Sequence, residues 1–359
     1  MLNSILIENF KSYKSARLPL APLTLIIGAN ASGKTNAIEA FRFLSWVVGS
    51  EKLSSINNRI KDSERVFRGD MRDLVHKGDE GFTLGVAFDC SEFGIEMTTH
   101  FGEILVKQQS GTLYSKTQQL MLRVCFFDFI PSVMRGDSYP ETQLRNTGAN
   151  LAGVLYTLWQ QPDQQAHILA FIQSLPEQDI KALKFYIDHR GRVELVLIEA
   201  FGNQDQEQHI ELLSDGTLRV LAIAAALLSA PEGSTIVIEG VDNSVHPSRA
   251  KQLLTTMLEH AERRGLRLLL STHNPALMDA LPDEALGDVV FCYRDPKDGD
   301  SRLVRLSDLV NYMGLVMQGS LGQLVTRGVV ERFVKTPVTP AENKQNALDW
   351  LAMMQGVTK

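Results

Sequence analysis

Gly28-Ala29-Asn30-Ala31-Ser32-Gly33-Lys34-Thr35 fits G-x-x-x-x-G-K-[ST], the phosphate-binding P-loop pattern. The apolar run Leu23-Thr24-Leu25-Ile26-Ile27 before it reads as a buried strand. Asn36 to Trp46 after it carries apolar residues at helical spacing. Strand, glycine loop and helix are the context the motif needs, because loop N–H groups and the positive end of the helix then converge on phosphate oxygens. Lys34 is expected to reach the β- and γ-phosphates of a nucleotide, and the Thr35 hydroxyl to ligate Mg²⁺.

Three later segments are read as meeting the same nucleotide. Ser214-Asp215-Gly216-Thr217 opens a helix that runs through Ala230, and its middle, Leu221 to Leu228, is apolar enough to be buried nearly all round. Thr235-Ile236-Val237-Ile238-Glu239 is an apolar strand ending in a carboxylate, the expected place for a residue of the Mg²⁺ shell. Leu268 to Ser271 is another, followed by Thr272-His273-Asn274-Pro275. Ligands bind at the carboxyl ends of the strands in such sheets.

Outward from these motifs the chain reads as α/β. Buried strands at Leu23–Ile27, Thr235–Glu239, Leu266–Ser271 and Val289–Tyr293 alternate with helices, including Pro247–Gly265, and imply a parallel, doubly wound sheet. Phe82–Phe88, Phe93–Phe101 and Ile104–Gln108 predict an antiparallel sheet, and Met121–Phe129 a further strand. Gly148–Trp159 and Ala166–Leu175 predict helices, and Leu183–Ile187 and Arg192–Phe201 strands. The expected division is a discontinuous core of 1–49 and 181–293, an inserted β-sheet and helical lobe at 50–180, and a C-terminal hairpin and helices at 294–359. The carboxylates of Arg294-Asp295-Pro296-Lys297-Asp298-Gly299-Asp300 lie in a Pro/Gly turn and read as a hairpin loop rather than a metal cluster. Leu348, Leu351, Ala352 and Gln355 predict a short C-terminal helix.

The 359 residues are 44% hydrophobic and 22% charged, an ordinary globular balance with room for a large core. The net charge of −6 argues against a surface that is basic all over, so any nucleic-acid contact needs a local patch. Cys90, Cys125 and Cys292 form no C-x-x-C and read as buried thiols of a reducing compartment. The N-terminus shows no signal-peptide pattern and no apolar run reaches membrane-spanning length, so cytoplasmic localisation is the expectation. His76, His100, His167, His189, His209 and His260 show no metal-ligand spacing.

The combined motifs resemble the ABC-type ATPases related to SMC, Rad50 and RecF proteins, and are similar to the small armless forms grouped with the overcoming-lysogenization-defect proteins and other phage-defence ATPases. Ile7-Glu8-Asn9-Phe10-Lys11-Ser12 is similar to their opening strand, and Gly28 to Asn36 to their P-loop. Ser214 to Thr217 resembles the ABC signature, and Ile238-Glu239-Gly240-Val241-Asp242-Asn243-Ser244-Val245-His246-Pro247 the Walker B segment and its "PExxLHP" continuation. Thr272-His273-Asn274-Pro275 resembles the switch histidine. The resemblance covers nearly the whole chain and is weakest over 50–140 and beyond 330.

What the resemblance implies is an α/β P-loop NTPase of ABC type, with a doubly wound sheet, an antiparallel β lobe and a helical lobe. It implies ATP and Mg²⁺ as cofactors. Nucleotide contacts are implied for Lys11, Gly28, Asn30, Ser32, Gly33, Lys34, Thr35 and Asn36, and in trans for Ser214, Asp215 and Gly216. Thr35 and Glu239 are the implied metal ligands, and Glu239, Asp242 and His273 the catalytic set. Two protomers are expected to meet head-to-tail around ATP, so that binding closes the dimer and hydrolysis opens it. The family normally places a carboxylate directly after the Walker B acid; here that position is Gly240, which leaves Asp242 as the substitute and predicts slow turnover. The Q-loop is not identifiable; Asp73 and His76 are the only suggestions. The functional expectation is a dimeric ATP switch or scaffold, open to higher oligomers, that controls a separate effector, a nuclease or toxin, in anti-phage defence. The alternative is a RecF-like DNA-binding repair ATPase. Nuclease activity in the chain itself is disfavoured.

Overall fold

The computed structural model describes residues 2–49, 67–88, 91–100, 103–106, 112–172, 180–201, 204–242 and 249–335. Its centre is a six-stranded sheet in the order β14-β13-β3-β12-β11-β7. These strands are β3 (Leu23–Ile27), β7 (Val124–Phe127), β11 (Thr235–Ile238), β12 (Arg267–Ser271), β13 (Val290–Arg294) and β14 (Ser301–Arg305). All neighbours run parallel except β13 and β14, which form the hairpin expected around Asp295–Gly299. Every residue of β3 and β11 is buried, which is why these runs are continuously apolar rather than alternating.

The sheet divides the interior into two cores. Leu25, Ile27, Ile236, Ile238, Leu268 and Leu270 face one; Ile26, Val237, Leu269 and Cys292 face the other. This is the period-2 alternation of a strand read from both sides. The second face is covered by the P-loop helix (Lys34–Gly49) and a five-stranded sheet in the order β2-β1-β4-β5-β6. It comprises β1 (Leu2–Phe10), β2 (Tyr13–Pro19), β4 (Gly81–Phe88), β5 (Ser91–His100) and β6 (Glu103–Val106), antiparallel throughout.

The first face is covered by helices Leu151–Trp159, Pro162–Ile172, Asp215–Ser229 and Ala250–Arg263. The Asp215–Ser229 helix is buried from Val220 through Leu228, as its composition predicts. Arg264 closes its C-terminal end: Nη1 donates to the Leu228 carbonyl at 2.8 Å and Nη2 to that of Ala230 at 2.8 Å, satisfying acceptors the helix leaves free. Beyond it stands a three-stranded sheet, β10-β9-β8, from β8 (Ile180–Ile187), β9 (Val193–Phe201) and β10 (Gln204–His209).

Residues 50–180 contribute to several assemblies. β4 to β6 extend the N-terminal sheet, β7 is an edge of the central sheet, and the helices at 151–172 join the first core. The strand predicted over Met121–Phe129 is shorter, because Met121 ends the helix Thr112–Met121 and only Val124–Phe127 pairs with β11. The chain after β14 forms short helices at Tyr312–Val316, Leu321–Thr326 and Val329–Lys335. Cys292 is buried and Cys125 half-buried. Cys90, His246, Pro247 and the C-terminal helix around Leu348 lie outside the described residues. Among the described residues no helix is long and apolar enough to cross a membrane.

Candidate nucleotide site

β3 delivers the loop 28–33 at its carboxyl end, and three loop residues have positive φ: Gly28 at 143°, Ala31 at 60° and Gly33 at 121°. Gly28 and Gly33 are needed for space as well as conformation. A Cβ on Gly28 falls 2.1 Å from the Cys292 carbonyl oxygen, and one on Gly33 falls 2.3 Å from Ser301 Oγ. Lys34 is buried, and its ammonium donates to the carbonyls of Gly28 (2.8 Å) and Ala29 (2.7 Å), so the charge is already held inside the loop. Burial lowers its proton affinity, and Cys292 and Glu239 oppose that shift. Ser32 Oγ is buried and faces the Cys292 thiol.

Glu239 follows β11 directly, and its carboxylate accepts a hydrogen bond from the Thr35 hydroxyl. The two expected metal ligands are thus in contact although 204 residues apart. Both are hard oxygen donors, the type that Mg²⁺ takes together with phosphate oxygens and water. Gly240 adopts φ 61° and donates its N–H to Ser271 Oγ at 2.9 Å, while the Val241 N–H reaches the Ser271 carbonyl at 3.1 Å. These bonds tie the turn after Glu239 to the end of β12. Asp242 closes the described part of the turn, half-buried, with Oδ1 buried and unpartnered.

His273 sits at the exposed end of β12. The Thr272 N–H bonds Ile26 in β3, and Asn274 caps the turn Pro275–Met278, so the segment is anchored on both sides of the imidazole. Desolvation and the Lys34 charge lower the His273 pKa, while Asp242 and the Gly28 backbone pull it up. Lys34 and Asp242 thus act on His273 through charge, and Gly28 through a hydrogen bond. A cavity of about 450 Å³ opens there, lined by Gly28, Ala29, Asn30, His273, Met278 and Glu331.

The remaining expected residues bond other groups. Lys11 is paired with Glu39 of the P-loop helix and donates to the Arg68 carbonyl at 2.9 Å. Asn36 donates to Ser12 Oγ at 2.8 Å. Asp73 caps its own turn and His76 bonds Asp300 at 2.9 Å; neither is bonded to the P-loop. Ser214 and Asp215 are exposed at the start of the Asp215–Ser229 helix, where Ser214 Oγ accepts from the Thr217 N–H at 3.1 Å. Their hydrogen-bond partners, Thr217 and Arg135, are not P-loop residues.

Sequence reading missed the residues that buttress the loop. Ser301 Oγ, fully buried, donates to the Ser32 carbonyl at 2.6 Å and is paired at 2.8 Å with Ser12 Oγ, from whose hydroxyl it accepts. The Tyr13 hydroxyl donates to the Gly33 carbonyl at 3.0 Å, and Arg294 Nε to that of Ala31 at 3.1 Å. It also missed Arg219, a half-buried guanidinium on which Asp128, Asp215 and Asp242 act through charge. None of these carries a local motif.

A parallel sheet carrying the P-loop, an antiparallel sheet over one face and a helical layer over the other make an α/β P-loop fold of ABC type, the fold of solved SMC head domains. Residues 1–116 match the family described as "AAA ATPase domain", and residues 126–279 the family described as "AAA domain, putative AbiEii toxin, Type IV TA system". Solved structures share the fold. An Smc head bound to the C-terminal winged-helix domain of ScpA superposes with a TM-score of 0.57 at 15% identity, over 84% of this chain and 96% of that one. An Smc head with an extended coiled coil, bound to the C-terminal domain of ScpA derived from Pyrococcus furiosus, gives 0.54 at 14% identity, over 93% and 99%.

Proposed function

We propose that the protein is an ATP-gated homodimer that hydrolyses ATP slowly and acts as a switch or scaffold for a separate effector protein, a nuclease or toxin, in anti-phage defence. The observation that carries the ATPase part is the contact between Thr35 and Glu239, which joins the P-loop to the acid after β11. The defence role leans on the resemblance of the motifs and on the family description matched by 126–279.

In this reading Thr35 and Glu239 hold Mg²⁺, which when bound neutralises charge on the β- and γ-phosphates. Lys34 turns from the carbonyls of Gly28 and Ala29 to the phosphates, a short swing for a flexible stem. His273, its proton affinity lowered by burial and by Lys34, offers an N–H to the γ-phosphate. Asp242 takes the proton of the attacking water in place of the carboxylate that Gly240 lacks. Ser214 and the first turn of its helix meet the γ-phosphate held by the other protomer, where the helix end favours an anion.

ATP turnover by the purified chain, beside Lys34→Ala and Asp242→Ala, tests this. Lys34→Ala is expected to abolish binding and turnover. Asp242→Ala is expected to keep ATP bound and to lose roughly 10²–10⁴-fold in turnover, the usual worth of a general base. Wild-type rates in Asp242→Ala remove Asp242 from the mechanism. Tight, Lys34-dependent binding without any turnover makes the chain an ATP-held scaffold.

A further inference from the structure

We propose that Arg135 is a positioning residue for the signature segment: it brackets Ser214 and neutralises Asp215, so that this face can accept a γ-phosphate carried by a second copy of the chain. The inference rests on the ATP-gated dimer proposed above.

Arg135 follows the helical turn Pro131–Met134, which packs on the Asp215–Ser229 helix. Its guanidinium makes three bonds to the residues around Ser214. Nε donates to the Glu211 carbonyl at 3.2 Å; Nη2 donates to the Leu213 carbonyl at 2.9 Å and to Asp215 Oδ1 at 2.7 Å. Ser214 therefore sits between clamped residues on both sides, itself exposed, with its hydroxyl bonded to Thr217. A planar guanidinium can serve carbonyls and a carboxylate at once; an ammonium has no such fork.

The charge argument is separate from the clamp. Asp215 is the first residue of the helix, where a carboxylate suits the helix dipole but opposes an incoming triphosphate. Its side chain is 53% exposed, so it is on the surface that a partner must cover. Covering it without a counter-charge leaves a desolvated carboxylate beside phosphate, the arrangement that electrostatic mismatch penalises most. Arg135, 29% exposed, supplies that counter-charge. Arg219 also acts on Asp215 through charge, which it divides with Asp128 and Asp242.

The test is ATP-dependent dimerisation of the full chain, read by size exclusion with light scattering. Arg135→Gln keeps a donor for the carbonyls and loses the charge; it is expected to fold and to weaken the ATP dimer about tenfold, the effect of one charge-assisted bond. Arg135→Lys is expected to recover part of the loss. Adding Asp215→Gly to Arg135→Gln is expected to recover more, because the unpaired carboxylate is gone; a purely structural clamp gives no such rescue. The loss of dimer is expected to exceed any loss of ATP affinity in the protomer. An Arg135→Gln chain that dimerises like the wild type, or a double variant without rescue, overturns the inference and leaves the dimer reading standing. A wild-type chain that stays monomeric with ATP overturns the dimer reading and the inference together.

Discussion

Single residues differ in how far their neighbours can be read from sequence. The P-loop is eight contiguous residues, so Gly28, Lys34 and Thr35 were legible at once. Arg135, Tyr13 and Ser301 reach the same two motifs from places with no pattern of their own, because a hydrogen bond across the fold leaves no spacing behind. His260 is another such residue: its sequence suggests an ordinary histidine, but the fold places it 5% exposed, stacked on Phe171 at 5.1 Å and edge-on to His167 at 4.6 Å. Burial, followed by the charges of His167, Arg263 and Arg264, pushes its pKa down to about 4. The folded state then binds this proton less well than the unfolded chain. The corresponding stability is complete above about pH 6.5 and is lost as pH falls toward 4, by at most about 3 kcal/mol. His260→Phe keeps a ring in the stack without titrating, so its melting temperature is expected to fall less steeply between pH 6.5 and 4. An unchanged slope across that interval rules His260 out as the group responsible.

Elements were legible where burial repeats. β3 and β11 are apolar on both faces because both faces are covered, and the Asp215–Ser229 helix is apolar nearly all round for the same reason. β10 went unrecognised because its residues, Gln204 to His209, are polar and mostly exposed; only pairing with β9 makes it a strand. Residues 121–129 read as one strand because a helix end and a strand share an apolar run. The β13–β14 hairpin shows what an element can do for a distant motif. Ser301 at the start of β14 and Arg294 at the end of β13 hold the carbonyls of Ser32 and Ala31, so the hairpin braces the P-loop from outside. Ser301→Ala removes the donor to Ser32 and the acceptor for Ser12, two bonds in a fully buried site, at roughly 1–3 kcal/mol. The expected result is a lower melting temperature together with a several-fold weaker ATP affinity by nucleotide titration. A lower melting temperature with unchanged affinity makes the hairpin a stabilising element with no hold on the loop.

At the scale of the molecule, the central sheet is assembled from strands far apart in the chain, and the ATP-site candidates lie where those strands end. β3 carries the P-loop, β11 leads to Glu239 and Asp242, and β12 leads to His273. The motifs at the strand ends pointed to this convergence; the distribution of the described residues of 50–180 among the sheets follows from pairing partners that no local pattern names. A ligand that ties these three strand ends together stabilises the whole molecule by mass action, about 2.7 kcal/mol at a hundredfold excess over Kd. ATP with Mg²⁺ is accordingly expected to raise the melting temperature by a few degrees. In the proposed dimer Ser214 and Asp215, whose own-chain partners are Thr217 and Arg135, meet the nucleotide of the other protomer, which adds a second contribution that depends on protein concentration. The rise is therefore expected to grow as the protein is concentrated from about 1 to about 100 µM, and Lys34→Ala to lose both contributions. A rise that is independent of protein concentration confines the effect of ATP to one protomer and leaves Ser214 and Asp215 without a part in it.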